Sequence, residues 1–88
     1  MNNEKKTLED LGYSIVISTS DEIIFATPTD ETGTSTYINI FKKYNWFSVE
    51  VWVSKYLMVN GKQNHNVVSY TSDEIQAINK EIEDKGWK

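Results

Sequence analysis

From Ser14 to Ser54 the apolar side chains recur with a period of two, a spacing that fits a pleated sheet and no helix. Ile15 and Ile17 alternate with Ser14, Val16 and Ser18, and a Thr19-Ser20-Asp21 turn leads into Glu22–Thr27 as the partner of a hairpin. Pro28 to Gly33 is turn-rich and acidic. Ser35–Lys42 then sets Tyr37, Asn39 and Phe41 on one side and Ile38 and Ile40 on the other. Lys43-Tyr44-Asn45 turns the chain into the strand Trp46–Ser54, with Phe47, Val49, Val51 and Val53 on one face and Trp46, Ser48, Glu50 and Trp52 on the other. Tyr56–Val59 and Val67–Tyr70 flank Asn60-Gly61, the strongest two-residue hairpin signal in the chain. Connections this short favour antiparallel neighbours, because parallel strands need crossovers of about a dozen residues or more.

The periodicity changes at Thr71. Thr71-Ser72-Asp73-Glu74 has capping-box spacing, and its two acids suit the positive end of a helix dipole. Tyr70 and Ile75 are spaced as a hydrophobic staple. Ile75, Ile78 and Ile82, with Ala77 beside them, form one apolar stripe, and Gly86 stops the helix with Trp87 placed to fold back on Ile82. Leu8-Glu9-Asp10-Leu11-Gly12-Tyr13 repeats the pattern of Ile82-Glu83-Asp84-Lys85-Gly86-Trp87, so the same capping chemistry is expected to end a short helix over about residues 3–11. The expected architecture is a single α+β domain over residues 1–88. It has a short N-terminal helix, a four- to five-stranded antiparallel meander, and a C-terminal helix packed on one sheet face.

A chain of 88 residues has room for one core and buries only about 60% of its unfolded surface. It has no Cys, hence no disulfide and no thiolate chemistry, and its single His, His65, closes the usual zinc sites. All nine basic residues are Lys, which leaves no bidentate clamp for phosphate or carboxylate. The acid pairs Asp21-Glu22, Asp30-Glu31, Asp73-Glu74 and Glu83-Asp84 fall at turns and helix ends, where capping explains them. His65 lies in a polar loop with no spaced acid beside it, and no Gly-rich phosphate loop is present. The expectation is therefore a protein that is not an enzyme and uses no cofactor or metal. No apolar run approaches the roughly 20 residues of a membrane helix, and the N-terminal segment lacks the apolar core of a secretory signal. A cytoplasmic protein without a membrane partner is expected.

The net charge of −4 hides an asymmetry: residues 1–31 carry −5, residues 32–70 carry +3, and residues 71–88 carry −2. One sheet face, Phe47, Val49, Val51 and Val53 with Ile38 and Ile40, is expected to bury the helix stripe. The opposite face carries Tyr37, Phe41, Trp46 and Trp52 among Asn39, Ser48 and Glu50. In one reading Leu8, Leu11 and Tyr13 cover these aromatics and complete a small core. In the other the face stays open, and Tyr37, Phe41, Trp46, Trp52 and Glu50 bind a protein partner or a second copy of the chain. Lys42, Lys43, Lys55 and Lys62 supply an alternative, in which single-stranded nucleic acid stacks on the aromatics. The acidic ends allow a further one, an acidic mimic occupying a nucleic-acid site.

Leu11-Gly12-Tyr13 near the start, a β-rich middle, and Thr71-Ser72-Asp73-Glu74-Ile75, Ala77-Ile78, Lys80-Glu81 and Gly86-Trp87 at the end form a recognisable frame. In this frame the chain resembles small proteins encoded by phages and prophages of Gram-positive bacteria. The resemblance implies a short accessory protein that acts in the host cytoplasm by binding, and it assigns no individual residue a role.

Overall fold

The capping box at Thr71 closes as its spacing predicts. The Thr71 hydroxyl accepts from the Glu74 N–H (3.1 Å), and the Glu74 carboxylate accepts from the Thr71 N–H (2.9 Å). In this computed structural model, which describes residues 6–64 and 69–87, the box opens a helix, α1 (Ser72–Lys85). At its end Gly86 takes φ 74°, donates to Glu83 O, and lets the Trp87 N–H reach Ile82 O (3.1 Å). The buried stripe of α1 is Glu74, Ala77, Ile78 and Ile82. Ile75, expected in that stripe, is half exposed, and an acid held by partners takes the inward position one residue earlier.

The expected N-terminal helix does not form over its described residues. Residues 8–12 make a single turn, capped at both ends. Thr7 N–H donates to Asp10 Oδ2 and Asp10 N–H donates to Thr7 Oγ1, at 3.0 and 3.1 Å. Gly12, at φ 100°, then closes the turn through Gly12 N–H to Glu9 O and Tyr13 N–H to Leu8 O, both 3.0 Å. The match between Leu8–Tyr13 and Ile82–Trp87 was thus a match of stop signals. A start cap at Thr7 and a stop at Gly12 leave no length in which a helix can propagate.

The strands are β1 (Ser14–Ser18), β2 (Glu22–Ala26), β3 (Thr34–Tyr44), β4 (Val49–Val59) and β5 (Lys62–Asn64), in a five-stranded antiparallel meander ordered as in the sequence. Thr19 Oγ1 accepts from the Asp21 and Glu22 N–H groups to turn β1 into β2. Asp30 Oδ1 accepts from the Thr32 hydroxyl and from the Thr34 and Thr32 N–H groups, which orders the 28–33 loop and holds the Asp30 carboxyl below its ordinary pKa. The segment expected as separate strands Trp46–Ser54 and Tyr56–Val59 is one strand, β4, which starts at Val49. Asn60 and Gly61 form the tight turn at its end with φ 53° and 76°, the left-handed pair that a two-residue hairpin requires. The partner across that turn is Lys62–Asn64 and not Val67–Tyr70. Ser69 and Tyr70 are outside any strand, and His65 and Val67 lie outside the described residues. No helix among the described residues is long and apolar enough to cross a membrane.

The core lies between α1 and the middle of the sheet. Ile23 and Phe25 of β2 and Ile38 and Ile40 of β3 pack with Ala77, Ile78 and Ile82, and Leu8, Tyr13 and Trp87 close the edges. A polar knot completes it. Glu74 accepts from Lys55 Nζ (2.7 Å) and the Tyr13 hydroxyl (2.7 Å), and Lys55 also donates to Ser69 O (3.1 Å). Burial alone would raise the Glu74 pKa, but the Lys55, Thr71 and Tyr13 donors outweigh it and hold the carboxyl below its ordinary 4.5. Burial and the donation to Glu74 push the Tyr13 hydroxyl pKa up.

Glu74→Ala, which strands Lys55 in the core, is expected to cost about 3–5 kcal/mol in a denaturant titration. Replacing both Lys55 and Glu74 by Met should recover most of that loss. Because the folded pKa of Glu74 is depressed, its contribution is complete above pH 4.5 and fades as pH falls through the lower folded value. The stability of Glu74→Gln should accordingly fall less steeply than that of the wild type in this acid range. Equal slopes would mean that the pair does not set the acid limb.

Candidate functional site

In an antiparallel pair, directly opposed residues share a face. The register Ile38↔Lys55, Ile40↔Val53 and Lys42↔Val51 belongs to the helix side. Tyr37↔Tyr56, Asn39↔Ser54, Phe41↔Trp52 and Lys43↔Glu50 belong to the other side, joined from β2 by Ile24 and Ala26. Leu8, Leu11 and Tyr13 pack with the helix-side core, so they do not cover the aromatic face. Among the described residues every covering element lies on the helix side. Phe41 stays 37% and Trp52 50% exposed.

The face is internally ordered. Tyr37 and Tyr56 stack with centroids 5.8 Å apart and planes 12° from parallel. Trp52 Nε1 donates to Glu50 Oε1 (3.2 Å), while Glu50 Oε2 accepts from Asn45 Nδ2. Lys43 Nζ lies 5.5 Å from the Trp52 ring centre. Asn39 Nδ2 donates to Glu22 Oε2 (2.8 Å), and Asn39 Oδ1 is buried with no hydrogen-bond partner among the described residues.

β2 pairs with β3 only as far as Phe41. Beyond it, Lys42–Tyr44 and Val49–Val51 continue as a two-stranded ribbon closed by residues 45–48. Asn45 organises that loop: its Oδ1 accepts from Phe47 N–H (3.0 Å), Ser48 N–H (2.7 Å) and the Ser48 hydroxyl (3.1 Å), and its own N–H donates to Ser48 O. The side chains between those anchors are turned outward, leaving Trp46 88% and Phe47 90% exposed. Tyr44 and Val49 beside them are also exposed, with Lys42 Nζ 4.6 Å from the Tyr44 ring centre.

Tyr37, Phe41, Trp52 and Glu50 therefore come together on one face, while Trp46 lies in the hairpin tip beyond the last strand pair. Phe47 and Val49 are corrections: expected in the core, they are exposed. Fourteen helical residues span about 21 Å and eleven strand residues about 36 Å, so α1 is too short to cover β3 and β4 end to end. Val51 and Val53, nearer the middle, do pack against the core. The four lysines are not gathered. Lys42 and Lys43 lie on opposite faces, Lys55 is buried against Glu74, and Lys62 follows the turn at the far end of β4. Tyr56 extends the aromatic face beyond the residues that the sequence singles out, while Tyr44, opposite Val49, lies on the helix side of the ribbon and Phe47 in the loop between the strands. Asn45 with Ser48 three residues on is the signal that marks Phe47 as a loop residue. No protein-family model, curated protein or solved structure matches this chain.

Trp46 and Trp52 should be quenched readily by iodide, whereas Trp87, 6% exposed, should resist. A variant with both exposed tryptophans changed to Phe should show blue-shifted, poorly quenched emission. Trp46→Ala should change stability by less than about 0.5 kcal/mol. A larger loss in chemical denaturation would show that the hairpin tip is packed against something.

Proposed function

We propose that this chain is a non-catalytic protein-binding module whose site is the uncovered face of β3 and β4. Tyr37, Phe41 and Trp52 form its centre, Glu50 holds the Trp52 indole, and Trp46 extends it at the hairpin tip. One observation carries this reading: among the described residues every covering element sits on the other side of the sheet, which leaves Phe41 and Trp52 exposed. Trp and Tyr are the side chains that most often dominate binding energy when a partner desolvates them. Exposed apolar patches of this kind on small domains are typically interaction surfaces.

The acids support a binding role over a catalytic one, because Asp10, Asp30 and Glu74 spend their oxygens on caps, turns and an ion pair. Single-stranded nucleic acid would call for cations around the same rings, and the dispersal of Lys42, Lys43, Lys55 and Lys62 favours a protein partner instead. In the setting implied by the resemblance to phage and prophage proteins, that partner is a host protein met in the host cytoplasm.

The test begins with proteins retained by the immobilised chain from a Gram-positive bacterial lysate, each purified and titrated back in solution. Trp52→Ala is expected to weaken the true partner by at least about 30-fold, the scale of a hot-spot residue, with little change in melting temperature. A partner indifferent to both Trp52→Ala and Tyr37→Ala would refute the assignment, as would a Trp52→Ala chain that fails to fold. Oligonucleotide binding that falls steeply with salt would replace it with the nucleic-acid reading.

A further inference from the structure

We propose that the open edge of β4 beside α1 is a strand-addition site for an extended peptide of a partner protein, with apolar side chains at every second position and a basic one between them. Among the described residues β5 pairs only with Leu57–Val59, so Val49–Val53 have no strand on the side away from β3. Lys42 N–H donates to Asp21 O and Thr36 O accepts from Thr27 N–H, so the even-numbered residues of β3 turn their main-chain groups toward β2. The odd-numbered ones turn theirs toward β4. Carried through the register Phe41↔Trp52 and Lys43↔Glu50, this gives the inner ladder of β4 to Glu50 and Trp52. The N–H and C=O groups of Val49, Val51 and Val53 therefore face the open edge. All three are apolar, where a guarded edge carries charge or proline.

The same three valines point their side chains to the helix side, into a groove of about 520 Å³ whose other wall is Asn79, Ile82 and Trp87. That volume lies within the range of about 300–1,000 Å³ typical of binding clefts. Ile75, one turn before Asn79 on α1, is 48% exposed and prolongs that wall. The occupant follows from this coincidence of edge and groove. Only an extended chain repeats main-chain donors and acceptors at the roughly 6.8 Å spacing of Val49, Val51 and Val53. Each peptide residue that bonds to one of these valines also aims its side chain into the groove, whose lining selects apolar residues. The peptide residues between them fall on the opposite face, beside Glu50. Glu50 has Lys43 across from it on β3 and, among the described residues, no cation on its edge side. Glu83, one turn after Asn79, is a second acid, exposed at the rim. A lysine or arginine of the peptide completes this row, since opposite charges on directly opposed strand residues attract. The site uses the edge and the helix side of β4, so it stands or falls separately from the proposed aromatic face.

The probe is selected by the chain itself from a surface-displayed library of random dodecapeptides. Selection should enrich sequences that alternate apolar residues with lysine or arginine. A synthetic copy of the enriched peptide should slow amide hydrogen exchange at Val49, Val51 and Val53 by at least about tenfold, with little change at Glu50 and Trp52, which already bond to β3. N-methylation of alternate peptide amides should abolish binding in one phase and spare it in the other. Asn79→Trp, which fills the groove from an exposed helix position, should weaken the peptide at least about tenfold with circular dichroism unchanged. Tyr37→Ala, on the aromatic face, should leave its affinity within about twofold. A selection that enriches nothing overturns the proposal, as does a peptide that binds Asn79→Trp as tightly as the wild type. A peptide that is lost on Tyr37→Ala and leaves the three valine amides unprotected also overturns it, by placing capture on the aromatic face. Protection of those amides that rises with the concentration of the chain alone does the same, by seating a second copy at the edge.

Discussion

Glu74 performs two tasks that meet nowhere else among the described residues. As the third residue of α1 it closes the capping box at Thr71. As a buried acid it binds Lys55 of β4 and the Tyr13 hydroxyl that follows the N-terminal turn. The helix start, the sheet and the N-terminal segment are therefore referenced to one carboxylate. Burial of the ion pair by itself adds little net stability, since desolvation offsets most of the attraction. Its consequence is positional. A shift of α1 that kept Lys55 and Glu74 buried but apart would cost about 3–5 kcal/mol.

That placement commits α1 to one side of the sheet. The N-terminal turn joins it there, because Tyr13 must reach Glu74. A long β3–β4 hairpin remains, covered on one face and near one end. The exposed aromatics at Trp52, Trp46 and Phe47 are what is left when one short helix serves two strands of eleven residues. The Trp52–Glu50–Asn45 chain of hydrogen bonds holds the Trp52 ring in a defined position. Pre-ordering of this kind lowers the entropic cost of binding to a partner.

How much of this was legible beforehand differs element by element. The box at Thr71 and the stop at Gly86 were readable because capping is local, decided within about six residues. Asn60-Gly61 was readable for the same reason, although its partner strand proved shorter and closer. The stop at Gly12 was equally clear, yet a stop does not imply a helix before it, and the Thr7 cap that limits it to one turn was overlooked. Phe47 was misplaced because strand alternation was run through a loop. Tyr37, Phe41 and Trp52 were found on one face by parity alone, Trp46 falls in the loop with Phe47, and Tyr56 joined the face only once the register was known.

By itself the sequence determined the alternation of the strands, the ends of the helix, the tight turns and the antiparallel order. Each depends on neighbours within a few residues or on short connections. Tertiary structure decided which side the N-terminal turn would take, that Lys55 would be buried with Glu74 nineteen residues away, and that one aromatic face would remain uncovered. Those outcomes depend on how far one helix reaches across a sheet and on which distant partner satisfies a buried charge. Neither quantity is written in the local spacing of side chains.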